Sequence, residues 1–144
     1  MEITIDRGYR TYDIKDTDGT LVGTIRFNPA DPGIAGRLDE AAGKIEPLRG
    51  KPVTPENMME LDKAIRDQLD YAFGSPVSDV LFGGNSAVAF CDNGRLLIEN
   101  VLDAIFPVVR AEIESAQKAS ADRMEKYTAP YKDSTAGLAP GQSL

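Results

Sequence analysis

The sequence predicts a mainly α-helical fold with a small N-terminal β-hairpin, an α+β domain organised around a long C-terminal helix that is kinked at a proline. Three observations predict it. Residues 11–27 alternate apolar and polar side chains on both sides of Asp18-Gly19, a strong hairpin turn signal. At Asp31-Pro32, Thr54-Pro55 and Ser75-Pro76 a capping residue precedes a proline, which needs no amide donor in the first helical turn. After Gly94, apolar residues recur at helical spacing from Leu97 to Ile113.

The hairpin covers about residues 9–28. With Asp18 and Gly19 as the two loop residues, Tyr12 faces Ile25 and Ile14 faces Gly23. That register puts Tyr12, Ile14, Leu21, Ile25 and Phe27 on one face, which the helices must cover. Ile3 and Ile5 extend the alternation into a short third strand before Arg7-Gly8.

A helix over 32–48 follows, with Asp31 as N-cap and Pro32 at its first position. Its residues Ile34, Leu38, Ala41, Ile45 and Leu48 line one face, and Pro47 and Gly50 argue for its end. The next helix spans 55–73, buries Met58, Leu61, Ile65, Leu69, Ala72 and Phe73, and stops at Gly74. Ser75 is expected to cap a short helix over 76–82, closed by Gly83-Gly84. The glycines of "FGSPVSDVLFGG" therefore read as punctuation between helices. A phosphate cradle would need a Gly-Lys-Ser/Thr ending and a preceding parallel strand, and the stretch has neither. "NSAVAFCDNG" fits a short strand or an apolar loop lying on the core.

The last helix, about 95–127, carries one stripe of Ile98, Leu102, Ile105, Val109 and Ile113. A second runs beside it through Leu97, Val101, Ala104 and Val108, and an arc that wide implies burial on two sides. Pro107 removes an amide donor and disfavours helical geometry at Phe106, so a kink or a break is expected there. Beyond Ile113 the stripe thins to Ala116, Ser120, Met124, Tyr127 and Tyr131, on a segment that either projects or folds back on the hairpin. Residues 132–144 are small, polar and rich in Gly and Pro, and read as a disordered tail after a single domain of residues 1–131.

Composition bounds the chemistry. A chain of 144 residues fits one domain, and its net charge of −7 opposes a nucleic-acid backbone. The lone Cys91 excludes an intramolecular disulfide and suits a reducing, cytosolic setting. Neither a signal peptide nor a membrane span is expected. The chain has no histidine, which removes the commonest general base and metal ligand. Asp62 with Asp70, and Asp79 with Asp92, read as solvated surface acids, because no pair sits in an apolar context that would separate their pKa values. "DTDGT" at 16–20 begins like a calcium loop, but its twelfth position is Phe27 where a bidentate Glu is needed. Cys91 has no histidine partner. No catalytic, cofactor-binding or metal residue is therefore expected, and binding is favoured over catalysis. Met124, Tyr127 and Tyr131 are the expected partner-binding residues, with the hairpin edge as an alternative contact and self-association as a further expectation.

The order of hairpin, "FNPAD", helix, capped helix ending in "LDYAFG", "VLFGG" and a long helix finishing at "KY" resembles the tail assembly chaperones of long-tailed, siphovirus-type bacteriophages and prophages of Gram-positive hosts. The resemblance covers roughly residues 9–131 and rests on Phe27–Asp31, Asp70–Gly74 and Val80–Gly84, none of them a catalytic signature. It implies a non-enzymatic helper in the host cytoplasm that coats the tape-measure protein, brings tail-tube subunits to it and is absent from the mature virion. Such genes often yield a second, longer product by frameshifting near their end. A structural virion component, either a head–tail connector or a minor tail protein, is the alternative.

Overall fold

The computed structural model describes residues 1–48 and 50–134, with side chains through residue 125. Strands β1 (Arg10–Lys15) and β2 (Leu21–Phe27) form an antiparallel hairpin. Helices α1 (Pro32–Ile45), α2 (Met58–Phe73), α3 (Ser78–Phe82) and α4 (Leu97–Ser134) follow, with a single 3-10 turn, Glu46–Leu48, after α1. The mixed architecture is the α+β class that the sequence predicts.

Tyr12 pairs with Ile25 and Ile14 with Gly23, as the turn signal requires. Nearer the turn the register shifts. Asp16 and Thr20 close a three-residue loop, the Gly19 amide donating to the Asp16 carbonyl at 2.9 Å with Gly19 at φ 87°. Lys15 consequently pairs with Leu21, leaving Val22 as the extra residue of a bulge. One added residue reverses side-chain alternation, so Leu21 leaves the expected apolar face and is 56% exposed. Asp18 accepts from the Thr20 amide at 2.9 Å, and that backbone bond holds its carboxyl below the ordinary value. The expected third strand is absent: residues 1–9 pair with neither strand, and Ile3 and Ile5 are exposed. An Asp6–Gly8 turn, with Gly8 at φ 72°, interrupts the extended path there.

The core lies between the inner hairpin face and the helices. Ile25 and Phe27 meet Leu38, Ile65, Leu69, Phe73, Phe82 and Ile98 in one cluster. The Phe27 ring stands edge-on to Phe73 at 4.9 Å between centroids and lies 5.2 Å from Tyr12. Gly23 allows the hairpin to approach α3, since a Cβ there would sit 3.0 Å from Val80 Cγ1.

Helix α1 begins as expected: the Asp31 carboxylate accepts from the Gly33 amide at 2.8 Å, and Pro32 occupies the first turn. Two other starts need correction. Helix α2 begins at Met58 rather than 55, because Thr54 and Asn57 close a reciprocal turn first. Asn57 Oδ1 accepts from the Thr54 amide at 2.8 Å and Thr54 Oγ1 from the Asn57 amide at 3.3 Å. Helix α3 is capped from α2 rather than by Ser75. Asp70 accepts from the Ser78 amide at 2.8 Å and from the Ser78 hydroxyl at 2.9 Å. Gly74 at φ 68° and Gly83 at φ 59° close their helices as punctuation, as expected. Replacing Asp70 with Ala leaves the buried Ser78 without its acceptor, and we expect a loss of about 1–2 kcal/mol in urea unfolding.

"NSAVAFCDNG" is the apolar loop, with a single Phe90–Leu96 bridge. Ala87 and Val88 are buried, while the Ala89 and Ala87 carbonyls accept from the Leu97 and Ile98 amides at 2.8 and 2.9 Å. The loop thus caps α4. Of the kink or break expected at Pro107, the break does not occur: α4 runs unbroken from Leu97 to Ser134. Ile105 and Val109, both buried, fix the helix on either side of the proline. The helix also extends past the expected end at 127. Of the expected tail, residues 132–134 are helical and 135–144 lie outside the described residues.

Candidate interaction surface

Helix α4 joins the core along a narrower face than its sequence suggests. Ile98, Val101, Ile105 and Val109 are buried, and Leu102, Phe106 and Ile113 are half-buried. Ala104 and Val108, expected to be covered, are exposed, because packing closes on one side of the helix only. The last fastening is Glu112, whose carboxylate lies 2.7 Å from the Arg10 guanidinium of β1. That hydrogen bond and its charge hold Arg10 above its ordinary value.

From residue 114 to 125 every side chain is exposed. At 1.5 Å per residue this stretch is about 18 Å of helix standing clear of the domain. Between residues 114 and 125 the segment therefore projects rather than folding back on the hairpin. Along it Ala116, Ser120 and Met124 recur every fourth residue, with Met124 57% exposed. Glu114, Lys118, Asp122 and Arg123 supply charges of both signs around them. Positions 127 and 131 continue the spacing along the helix backbone, while the Tyr127 and Tyr131 side chains lie outside the described residues. Of the three expected partner residues, the structure therefore places Met124 on an exposed face. It adds a row of which Ala104 and Val108 read as core in the sequence: both are exposed, as is Ala111 beyond them, and the row runs along α4 toward Ser115. Nothing in the local pattern marks that row as outward, because apolar periodicity does not say how many sides of a helix are covered.

Of the four carboxylates expected to be solvated surface acids, Asp92 is exposed, whereas Asp62, Asp70 and Asp79 are engaged in holding the fold. Asp62 accepts from Arg66 Nε at 2.9 Å and from the Ala87 amide at 2.6 Å. Asp70 caps α3, and Asp79 accepts from Arg66 Nη1 at 3.0 Å. Arg66 also donates to the Asn85 carbonyl at 2.8 Å and covers the Phe82 ring, tying the loop after α3 to α2. Cys91 is half-buried, its amide donating to the Arg95 carbonyl. Among the described residues no group of three His, Cys, Asp or Glu side chains is arranged to hold a metal ion, and no helix is long and apolar enough to cross a membrane. Comparison with protein-family models, curated proteins and solved structures gave no match.

Because residues 114–125 bury nothing against the domain, ending the chain at Ser115 is expected to change unfolding free energy by no more than about 0.5 kcal/mol. Thermal and urea melts of the two chains check this.

Proposed function

We propose that this protein is a non-enzymatic phage tail assembly chaperone, which binds the tape-measure protein through α4 and recruits tail-tube subunits to it. The observation that carries the reading is the length of α4 beyond Ile113, a helix with no core of its own to cover. A helix that buries nothing is marginal in water, and an exposed stripe at i, i+4 is the form in which one helix receives another. Ala116 and Ser120 permit close backbone approach, and Met124 adapts to irregular apolar partners. The resemblance over residues 9–131 supports the same reading. A tape-measure protein needs its long apolar helices covered until tube subunits surround it. A chain of net charge −7 keeps such a complex in solution in the host cytoplasm.

Quantitative mass spectrometry of purified virions and of the infected or induced lysate tests this assignment. The chaperone is expected in the lysate and absent from finished particles. Recovery from virions in fixed copy number would overturn it in favour of a head–tail connector or minor tail protein.

A further inference from the structure

Residues 1–6 form an arm that the domain does not use. Ile3 is 85% and Ile5 63% exposed, and they alternate with Glu2, Thr4 and Asp6, the period of a strand with one apolar face. The root of the arm is built into the domain. Asn28 Nδ2 donates to the Arg7 carbonyl at 2.9 Å, and the Gly8 amide donates to Asp6 Oδ1 at 2.8 Å. A Cβ on Gly8 would meet Asn28 Nδ2 at 2.8 Å and would have to adopt φ 72°, so the position needs glycine. A fixed root with two isoleucines in water is arranged for pairing elsewhere.

The matching acceptor is β1. A two-stranded sheet leaves each strand an outer edge. Helix α3 packs on β2, with Val80 against the inner face at Gly23 and Gly83 beside the bulged Val22. On β1, Thr11, Asp13 and Lys15 are exposed and Tyr12 and Ile14 only half-buried, an apolar pair lacking a neighbour on its open side. Charge agrees at the far end: the arm carries Glu2 and Asp6 and no basic side chain, and β1 ends in Lys15, while Arg10 is already held by Glu112.

The geometry points to reciprocal strand exchange between two copies of this chain, the arm of each adding antiparallel to β1 of the other. Placing apolar on apolar sets Ile3 opposite Ile14 and Ile5 opposite Tyr12, which also brings Glu2 opposite Lys15 and, beside the axis, Arg7 opposite Arg10, whose charge Glu112 offsets. Read from either copy the register gives the same pairs, so the arrangement closes on a twofold axis near Gly8 and Tyr9. In this structure the arm does not fold back on its own β1, since the chain bends at Gly8 and Arg7 is tied to Asn28. The exchange requires nothing of the late helix and stands apart from the chaperone reading.

Size-exclusion chromatography with light scattering over a dilution series of the full chain tests it. A dimer that dissociates on dilution is expected. Ile3→Asp combined with Ile5→Asp, or deletion of residues 2–6, should weaken it by about tenfold or more while far-UV circular dichroism is unchanged. Lys15→Glu should weaken the dimer, and Glu2→Lys in the same chain should restore it. A monomer at every concentration overturns the proposal, including one whose melting temperature falls on arm deletion, which would put the arm on its own β1. An oligomer unaffected by arm deletion, or an arm-dependent species larger than two chains, overturns it as well.

Discussion

Replacing Phe27 with Ala is expected to lower the unfolding free energy by about 3–5 kcal/mol, the largest effect of any single substitution considered. Phe27 is 3% exposed at the end of β2, and its ring fills the space between Tyr12 and Phe73. The hairpin has two strands and one apolar face, so it cannot stand without the helices beneath it. Removing the ring leaves a cavity where hairpin and α2 meet and also forfeits the edge-on contact with Phe73, a contribution of about 0.5–1.5 kcal/mol beyond area burial. Phe27→Leu refills part of the volume and should cost clearly less. Urea denaturation of the two variants separates the outcomes. Equal and small losses would show that the hairpin is not anchored through this residue.

Asp62→Ala is expected to cost about 2–4 kcal/mol, through loss of a charged acceptor from a half-buried pair and an amide left unsatisfied. The Asp62 side chain is 21% exposed, as is that of Arg66. Its two oxygens serve different elements: one holds Arg66 on α2, the other the amide of fully buried Ala87. Without it, Arg66 keeps Asp79 and the Asn85 carbonyl but Ala87 loses its acceptor. The loop that caps α4 should loosen accordingly. Hydrogen exchange at the Ala87 amide should accelerate more than exchange in the α1 helix. Asp62→Asn retains an acceptor oxygen and should be the milder variant. Exchange rising equally across the whole domain would place the effect on global stability rather than on this fastening.

What was legible in the sequence was what depends on near neighbours. Asp18-Gly19 reports where the hairpin turns, and the expected pairing of Tyr12 with Ile25 is kept because the bulge at Val22 offsets the extra residue of the loop. Asp31-Pro32 and Gly74 report a helix start and a helix end for the same local reason. The failures lie where distant residues decide. Ser75 looked like the cap of α3, yet Asp70, eight residues before Ser78, supplies it across the α2–α3 turn. Thr54-Pro55 carries a start signal, but the reciprocal bonds between Thr54 and Asn57 hold the chain in a turn and delay α2 to Met58. The bulge at Val22 is a one-residue event, invisible to alternation, and it is enough to turn Leu21 outward. Pro107 weakens a helix locally, and α4 passes through it unbroken with buried contacts before and after.

The interaction surface divides in the same way. Met124 could be singled out because an apolar residue among alternating charges stands out on any helix. Ala104 and Val108 could not, since their spacing is that of a core stripe and only the placement of α1 and the hairpin decides that they face outward. The chaperone proposal draws on the order of elements, and the projecting helix is the structural feature that it uses.

The central claim is that α4 beyond Ile113 is a surface for another chain. Co-expression with a tape-measure protein, the partner that the proposed function assigns, followed by size-exclusion chromatography with light scattering, tests this most directly, comparing the full chain with one ending at Ser115. The account predicts a soluble complex with the full chain and an insoluble tape-measure protein with the shortened one, although both chains fold equally well. A complex that forms equally with the shortened chain would contradict the assignment of this helix, and a tape-measure protein insoluble with both would contradict the chaperone.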